Sequence, residues 1–203
     1  MAPLPPTGRR TASTSSSSRK RQRRKPPPGR RLVQFDRSLG SRFVAGADEA
    51  GRGCLAGPLV AAGVLFDYDR IGRREVRALS ALNDSKQQRE EVREELYPVI
   101  LRLAARVVVV SRCPRGIDAR GLHVTNLAAL RDALRGVARQ GTLCLSDGFA
   151  VRDVGHEQRA VVGGDAKSAA IAAASVIAKV SRDRYMRRAD TVHPGWEFAT
   201  HVG

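Results

Sequence analysis

Four acidic residues stand where the chain changes direction. Asp48 and Glu49 follow the apolar run 43–47 and precede Gly51 and Gly53. Asp147 closes a second apolar run in Ser146-Asp147-Gly148, and Asp165 follows Gly163-Gly164. Each lies beside glycine at a turn, where a side chain can be presented at a sheet edge. If the two strand ends are neighbours, four carboxylates converge. Like charges in contact raise one another's pKa and need cations to balance them. Carboxylate oxygens are hard ligands that select Mg²⁺ or Mn²⁺ over zinc. Two such ions about 4 Å apart can activate a water and stabilise the leaving oxygen of a phosphodiester. Taken singly, Asp147-Gly148 is also an ordinary turn and Asp165 an ordinary helix cap. Adjacent charges that end an apolar strand, as at Asp48-Glu49, need compensation of some kind. The histidines (His123, His156, His193, His201) and the cysteines (Cys54, Cys113, Cys144) show no zinc spacing, and the cysteines are expected to be reduced thiols.

The elements that must position these acids can be read from periodicity. Residues 43–48 read as a short strand ending in acid. Residues 59–66 read as a strand apolar on both faces, and so central. Residues 84–103 read as a helix capped by Asp84 or Ser85, with Val92, Leu96, Val99, Ile100 and Leu103 at helical spacing. The β-branched run 106–110 is a strand. A helix is expected over 121–139 and strands over 142–147 and 160–162. Asp165 is expected to open a long helix reaching about residue 189. The order β-β-α-β-α-β-β-α gives an α/β or α+β layered domain.

The chain has 203 residues, 42% of them hydrophobic, which suits one globular domain plus a tail. Its formal net charge is +16. Residues 1–31 hold ten Lys or Arg and no acid, which leaves about +6 for the rest. A polyanionic partner follows from this balance, although a basic tail can also serve solubility alone. Residues 1–40 are low in complexity and rich in Pro, Ser and Arg, and are expected to be disordered, with the folded domain at 41–203. No run is long and apolar enough to span a bilayer, and the N-terminus lacks the apolar stretch of a secretory signal. A cytoplasmic protein is expected. An Arg- and Ser-rich, acid-free start also suits a mitochondrial transit peptide, but proline interrupts any amphipathic helix there.

Asp48-Glu49-Ala50-Gly51-Arg52-Gly53 with Ala56-Gly57-Pro58-Leu59 resembles the signature of bacterial ribonuclease HII. Three further blocks agree in order and spacing: Leu82-Asn83-Asp84-Ser85-Lys86, Leu145-Ser146-Asp147-Gly148, and Gly164-Asp165 with the run from Ala172 to Asp183. The resemblance covers about 43–203. It implies a ribonuclease H-like fold, a mixed five-stranded sheet flanked by helices. It implies an endoribonuclease that degrades the RNA strand of RNA–DNA hybrids and cuts 5′ of single ribonucleotides in duplex DNA, leaving 5′-phosphate and 3′-hydroxyl ends. Asp48, Glu49, Asp147 and Asp165 would be the catalytic set, with Asp48, Glu49 and Asp147 on two divalent ions, Mn²⁺ or Mg²⁺.

By the same resemblance, Gly51-Arg52-Gly53 would sense the 2′-hydroxyl through the backbone, and Arg52 would add a phosphate contact. Ser85-Lys86 would hold a backbone phosphate. Lys179 would either do the same or pair with Asp183 at i,i+4. Trp196 and Phe198 are read as a satellite of the core. The family motif continues past His201-Val202-Gly203 with a tyrosine and further helices, so the 203 residues are expected to be a fragment. The partners implied are RNA–DNA hybrid and ribonucleotide-containing duplex DNA, with no membrane, and the chain is expected to be a monomer. The competing reading is a non-catalytic basic nucleic-acid-binding protein on the same fold. It predicts loss of one or more of the four acids, and all four are present.

Overall fold

The computed structural model describes residues 26–83 and 88–201. In chain order the elements are α1 (Pro28–Ser38), β1 (Phe43–Ala50), β2 (Leu59–Asp67), α2 (Arg73–Ala78), α3 (Glu90–Leu103), β3 (Arg106–Arg112), α4 (Pro114–Arg120), α5 (Leu122–Val137), β4 (Thr142–Asp147), β5 (Glu157–Val161) and α6 (Ala169–Val192). Short 3₁₀ turns cover Gly164–Ala166 and Phe198–Thr200. The strands form one sheet in the order β3-β2-β1-β4-β5. β1 runs antiparallel to β2 and β2 to β3, while β4 runs parallel to β1 and β5 to β4. The sheet is therefore mixed and five-stranded, as the resemblance implies. β2 is buried at every position, which explains its unbroken apolar run.

Alternation along the strands divides the core into two layers. Val44, Val64, Phe66, Leu143 and Leu145 face α6 together with α1 and α3. Ala45, Ala47, Ala61, Leu65 and Cys144 face α5 on the other side. Two glycines let the helices sit close. A Cβ at Gly46 would fall on the Ala170–Ile171 backbone of α6. A Cβ at Gly63 would lie 2.6 Å from the Ala133 carbonyl oxygen of α5. Ala169 to Ala178 are all buried, so the first half of α6 is enclosed on every side.

Five expectations need correction, the first being the strand expected over 160–162, which spans Glu157–Val161 instead. Composition predicts a disordered tail through residue 40, but Pro28–Ser38 is a helix packed on α6 by Leu32 and Val33. Pro28 occupies a position in the first turn of that helix, where its missing N–H costs nothing, so the proline run starts the helix rather than preventing it. Residues 1–25 lie outside the described residues. The helix expected from residue 84 begins at Glu90, after an extended Arg89, and the two proposed caps lie outside the described residues. The last helix begins at Ala169 rather than Asp165. Gly163, left-handed at φ 63°, turns the chain into a 3₁₀ segment, and the Ser168 hydroxyl accepts the Ile171 N–H at 3.3 Å as the true cap. Trp196 is 68% exposed and stacks on Phe198 at 6.4 Å, so it is a surface aromatic and not a core residue. Among the described residues, no helix is long and apolar enough to cross a membrane.

Candidate active site

β1 and β4 are neighbouring parallel strands whose last paired residues are Ala47 and Ser146. Asp48 and Asp147 follow that pair directly, so they emerge side by side at the same end of the sheet. Asp48 shares the face of Val44 and Gly46, and Asp147 that of Leu143 and Leu145, so both belong to the face covered by α6. Asp165 joins them through the chain before α6. Asp147 Oδ1 accepts the Gly164 N–H at 2.7 Å and fastens the 3₁₀ turn to the end of β4. Asp48 and Asp165 are both buried. Glu49 takes the opposite parity on β1, and its carboxylate lies 3.5 Å from Arg52.

Three of the four expected acids thus share one face and one end of the sheet, and the fourth flanks them. The donor set is all carboxylate oxygen, the chemistry that suits Mg²⁺ or Mn²⁺. In donor type the site fits a hard divalent ion. Among the described residues, no three Asp, Glu, His or Cys side chains converge on a common point. Glu49 lies within β1 on its opposite face, with its carboxylate toward Arg52.

Gly51 is left-handed, with φ 93°, and a Cβ there would lie 2.7 Å from the Pro58 carbonyl oxygen and collide with Arg182. A Cβ on Gly53 would meet nothing within 4 Å. Packing therefore demands glycine at 51 but not at 53, where the backbone is open to a visiting group. Arg52 is half-exposed, its guanidinium held between Glu49 and the Phe149 ring 6.0 Å away. Lys179 pairs with Asp183 at 3.0 Å, the ion-pair alternative for that residue, and Arg93 approaches the same carboxylate at 3.7 Å. Ser85 and Lys86 lie outside the described residues.

Two supporting residues have no assigned role in the sequence reading. Arg182, with no exposure at all, donates to the carbonyls of Pro58 at 3.0 Å, Ala56 at 2.8 Å and His201 at 3.2 Å. It fixes the loop that carries Gly51-Arg52-Gly53, and nothing in its polar neighbourhood, Lys179, Ser181, Asp183 and Arg184, marks it as buried. Asp36 on α1 accepts the Tyr68 hydroxyl at 2.5 Å and the Ala170 N–H at 2.9 Å, holding the start of α6. Burial pushes its carboxyl up to about 6, against partial relief from the Tyr68, Ser168 and backbone hydrogen bonds.

A mixed sheet in this order, helices on both faces and acids at the ends of its two central parallel strands define the ribonuclease H-like fold. Residues 45–203 match the family model described as Ribonuclease HII, and the chain belongs to that family. It is 48% identical over 160 residues to a ribonuclease HII of Mycobacterium avium, covering 79% of this chain and 67% of the relative. A Mycobacterium tuberculosis ribonuclease HII is also 48% identical over 160 residues, with 79% of this chain and 59% of that protein covered. The chain thus spans about three fifths to two thirds of the length of these curated relatives. The crystal structure of the ribonuclease H2 from Pyrococcus horikoshii superimposes with a TM-score of 0.67 at 27% identity, covering 79% of this chain and 81% of that one.

Proposed function

We propose that this chain carries the catalytic carboxylates of an endoribonuclease. It cuts the RNA strand of RNA–DNA hybrids and the 5′ side of single ribonucleotides in duplex DNA, leaving 5′-phosphate and 3′-hydroxyl ends. The observation that supports this reading most is the placement of Asp48 and Asp147 on one face at adjacent strand ends, with Asp165 brought in by the Asp147–Gly164 hydrogen bond. Asp48, Glu49 and Asp147 would hold two divalent ions, Mg²⁺ or Mn²⁺, with Asp165 completing the acidic set. Such ions, when bound, lower the pKa of water and neutralise charge on a phosphodiester. Glu49 reaches that face by giving up its contact with Arg52, a long pair at 3.5 Å whose arginine is half-exposed.

The chain's own residues orient the substrate. The open backbone at Gly53 gives room for N–H and C=O groups to meet a 2′-hydroxyl, the group that marks RNA. Arg52, released from Glu49, supplies a phosphate contact. Lys179 reaches a phosphate only if its pair with Asp183 opens, and Ser85 and Lys86 complete the expected phosphate-binding set. The reading places the protein in the cytoplasm as a monomer. The competing reading is a non-catalytic duplex-binding protein on the same fold, and the presence of all four acids speaks against it.

One experiment separates the two. A labelled DNA duplex with one ribonucleotide is incubated with Mg²⁺ or Mn²⁺ and the ends are mapped, with Asp48→Asn alongside. A metal-dependent cut 5′ of the ribonucleotide that disappears in Asp48→Asn supports the enzyme. Binding without cutting by both forms supports the alternative.

A further inference from the structure

A groove of about 660 Å³ runs between α1 and α2, and none of the four acids lines it. Its walls carry Arg30 and Arg37 from α1 and Arg73 and Arg77 from α2. Arg30 and Arg37 are seven residues apart and Arg73 and Arg77 four apart, so each pair lies on a single helix face. The first pair spans about 10 Å along its helix and the second about 6 Å. All four side chains are exposed, and no Asp or Glu lines the groove. Among the described residues none of the four is in an ion pair, although Arg37 donates to the Ile71 carbonyl. Other arginines on this surface are balanced, as Arg184 and Arg187 are by Glu94. Four like charges around one groove repel one another, and a polyanion relieves that cost.

We propose that this α1–α2 groove is a second nucleic-acid contact, holding the sugar–phosphate backbone of the duplex away from the site of cleavage. The proposal rests on the reading that the chain acts on a nucleic-acid duplex. Each strand of duplex DNA presents about one negative charge per 3.4 Å of axis, so the roughly 10 Å of arginine-lined wall faces about three phosphates of one backbone. The groove is open and its charged lining is exposed, so it lacks the buried polar partners that a site for a small free anion would have. A continuous backbone suits it better. In sequence, the groove's first lining residue, Pro27, comes just after the basic segment 1–25.

The test measures binding without cleavage. Anisotropy of a fluorescent ribonucleotide-containing duplex is titrated in EDTA across a range of NaCl concentrations. The protein is used with the triple substitution Arg30→Gln, Arg73→Gln and Arg77→Gln. A control triple, Arg115→Gln, Arg120→Gln and Arg135→Gln, removes the same charge from exposed positions on the α5 side of the sheet. The groove triple should flatten the slope of log K against log salt by about 0.9 per lost contact, so by as much as about 2.7. Near 0.15 M salt this weakens binding about fivefold for each contact. The control triple should change the slope little. Equal flattening by both triples, or none by the groove triple, overturns the proposal. Phenylglyoxal modification of the unaltered protein gives a second readout that no folding defect can confuse. Duplex should protect Arg30, Arg73 and Arg77, and protection by inorganic phosphate alone would overturn the proposal by making the groove a small-anion site instead. A chain that fails to cut but shows the groove-specific slope loses the proposed activity and keeps this contact. A chain that cuts with an unchanged slope does the reverse.

Discussion

Replacing Asp36 by asparagine should remove a pH dependence that this one carboxyl imposes on stability. Asp36 is fully buried, and burial raises its carboxyl from 3.8 to about 6. The folded state therefore holds the proton more tightly than the unfolded chain does. The stabilisation is complete below the unfolded value of 3.8 and is lost as pH rises through about 6. A shift of about 2 units corresponds to about 3 kcal/mol. The substituted amide carries no charge at any pH, and its oxygen can still accept from the Tyr68 hydroxyl and the Ala170 N–H, both of which reach the same oxygen in the wild type. The stability gap at any one pH depends on what the new amide nitrogen meets, but its change with pH does not. Urea midpoints for both proteins from about pH 4 to pH 8 give the difference curve, in which shared titrations cancel. Asp67 and Glu94, whose arginine partners lower their pKa, are among those. Wild type should lose about 2.5 kcal/mol relative to Asp36→Asn across that range, because part of the stabilisation is already gone at pH 4, equivalent to about 5–10 °C in Tm for a domain of this size. A difference curve flat to within about 0.5 kcal/mol would refute the assignment of a buried carboxyl titrating near neutrality.

Other substitutions probe the parts that seat the candidate site. Gly46→Ala places a methyl on the backbone of α6 and should cost more than about 3 kcal/mol, visible as a large drop in Tm. Arg182→Met strips three carbonyls of their buried donor and should cost about 3–5 kcal/mol in urea unfolding while weakening duplex binding through the Gly51-Arg52-Gly53 loop. Burial pushes the Cys144 thiol up to about 12, so a thiol reagent at mildly alkaline pH should label exposed Cys113 in the native protein and reach Cys144 only after unfolding.

Four of the five strands are legible because each carries a strong local signal, whereas β5 is a largely exposed edge strand that begins three residues before its expected start. β3 has a β-branched run, β2 is apolar throughout, β4 ends in Asp147 beside glycine, and β1 carries Asp48-Glu49 just before its end at Ala50. The placement of Asp48 beside Asp147 follows once those strand ends are neighbours. What is not legible depends on contacts remote in sequence. Asp36 meets Ala170 across 134 residues, and nothing near either one announces it. α1 is hidden by the Pro- and Arg-rich composition around it, although Leu32, Val33 and Asp36 form a buried stripe. The start of α6 is ambiguous in the sequence because Asp165 and Ser168 are both good caps and only the turn at Gly163 decides between them. Short helices such as α2 and α4 have too few turns to show a period. Glu49 pointing toward Arg52 is a matter of strand parity, which adjacency in sequence conceals.

The two central glycines, Gly46 beneath α6 and Gly63 beneath α5, act as a gauge for the thickness of the domain. α6 continues directly from the turn that holds Asp165, and that turn is fastened to Asp147 by one hydrogen bond. The separation of the carboxylates is thus inherited from how deeply a helix sits on a sheet. Selection for the reaction reaches through that linkage to side chains no larger than a hydrogen atom or a methyl group. A slow evolutionary drift in their bulk would retune the acids long before any acid was replaced.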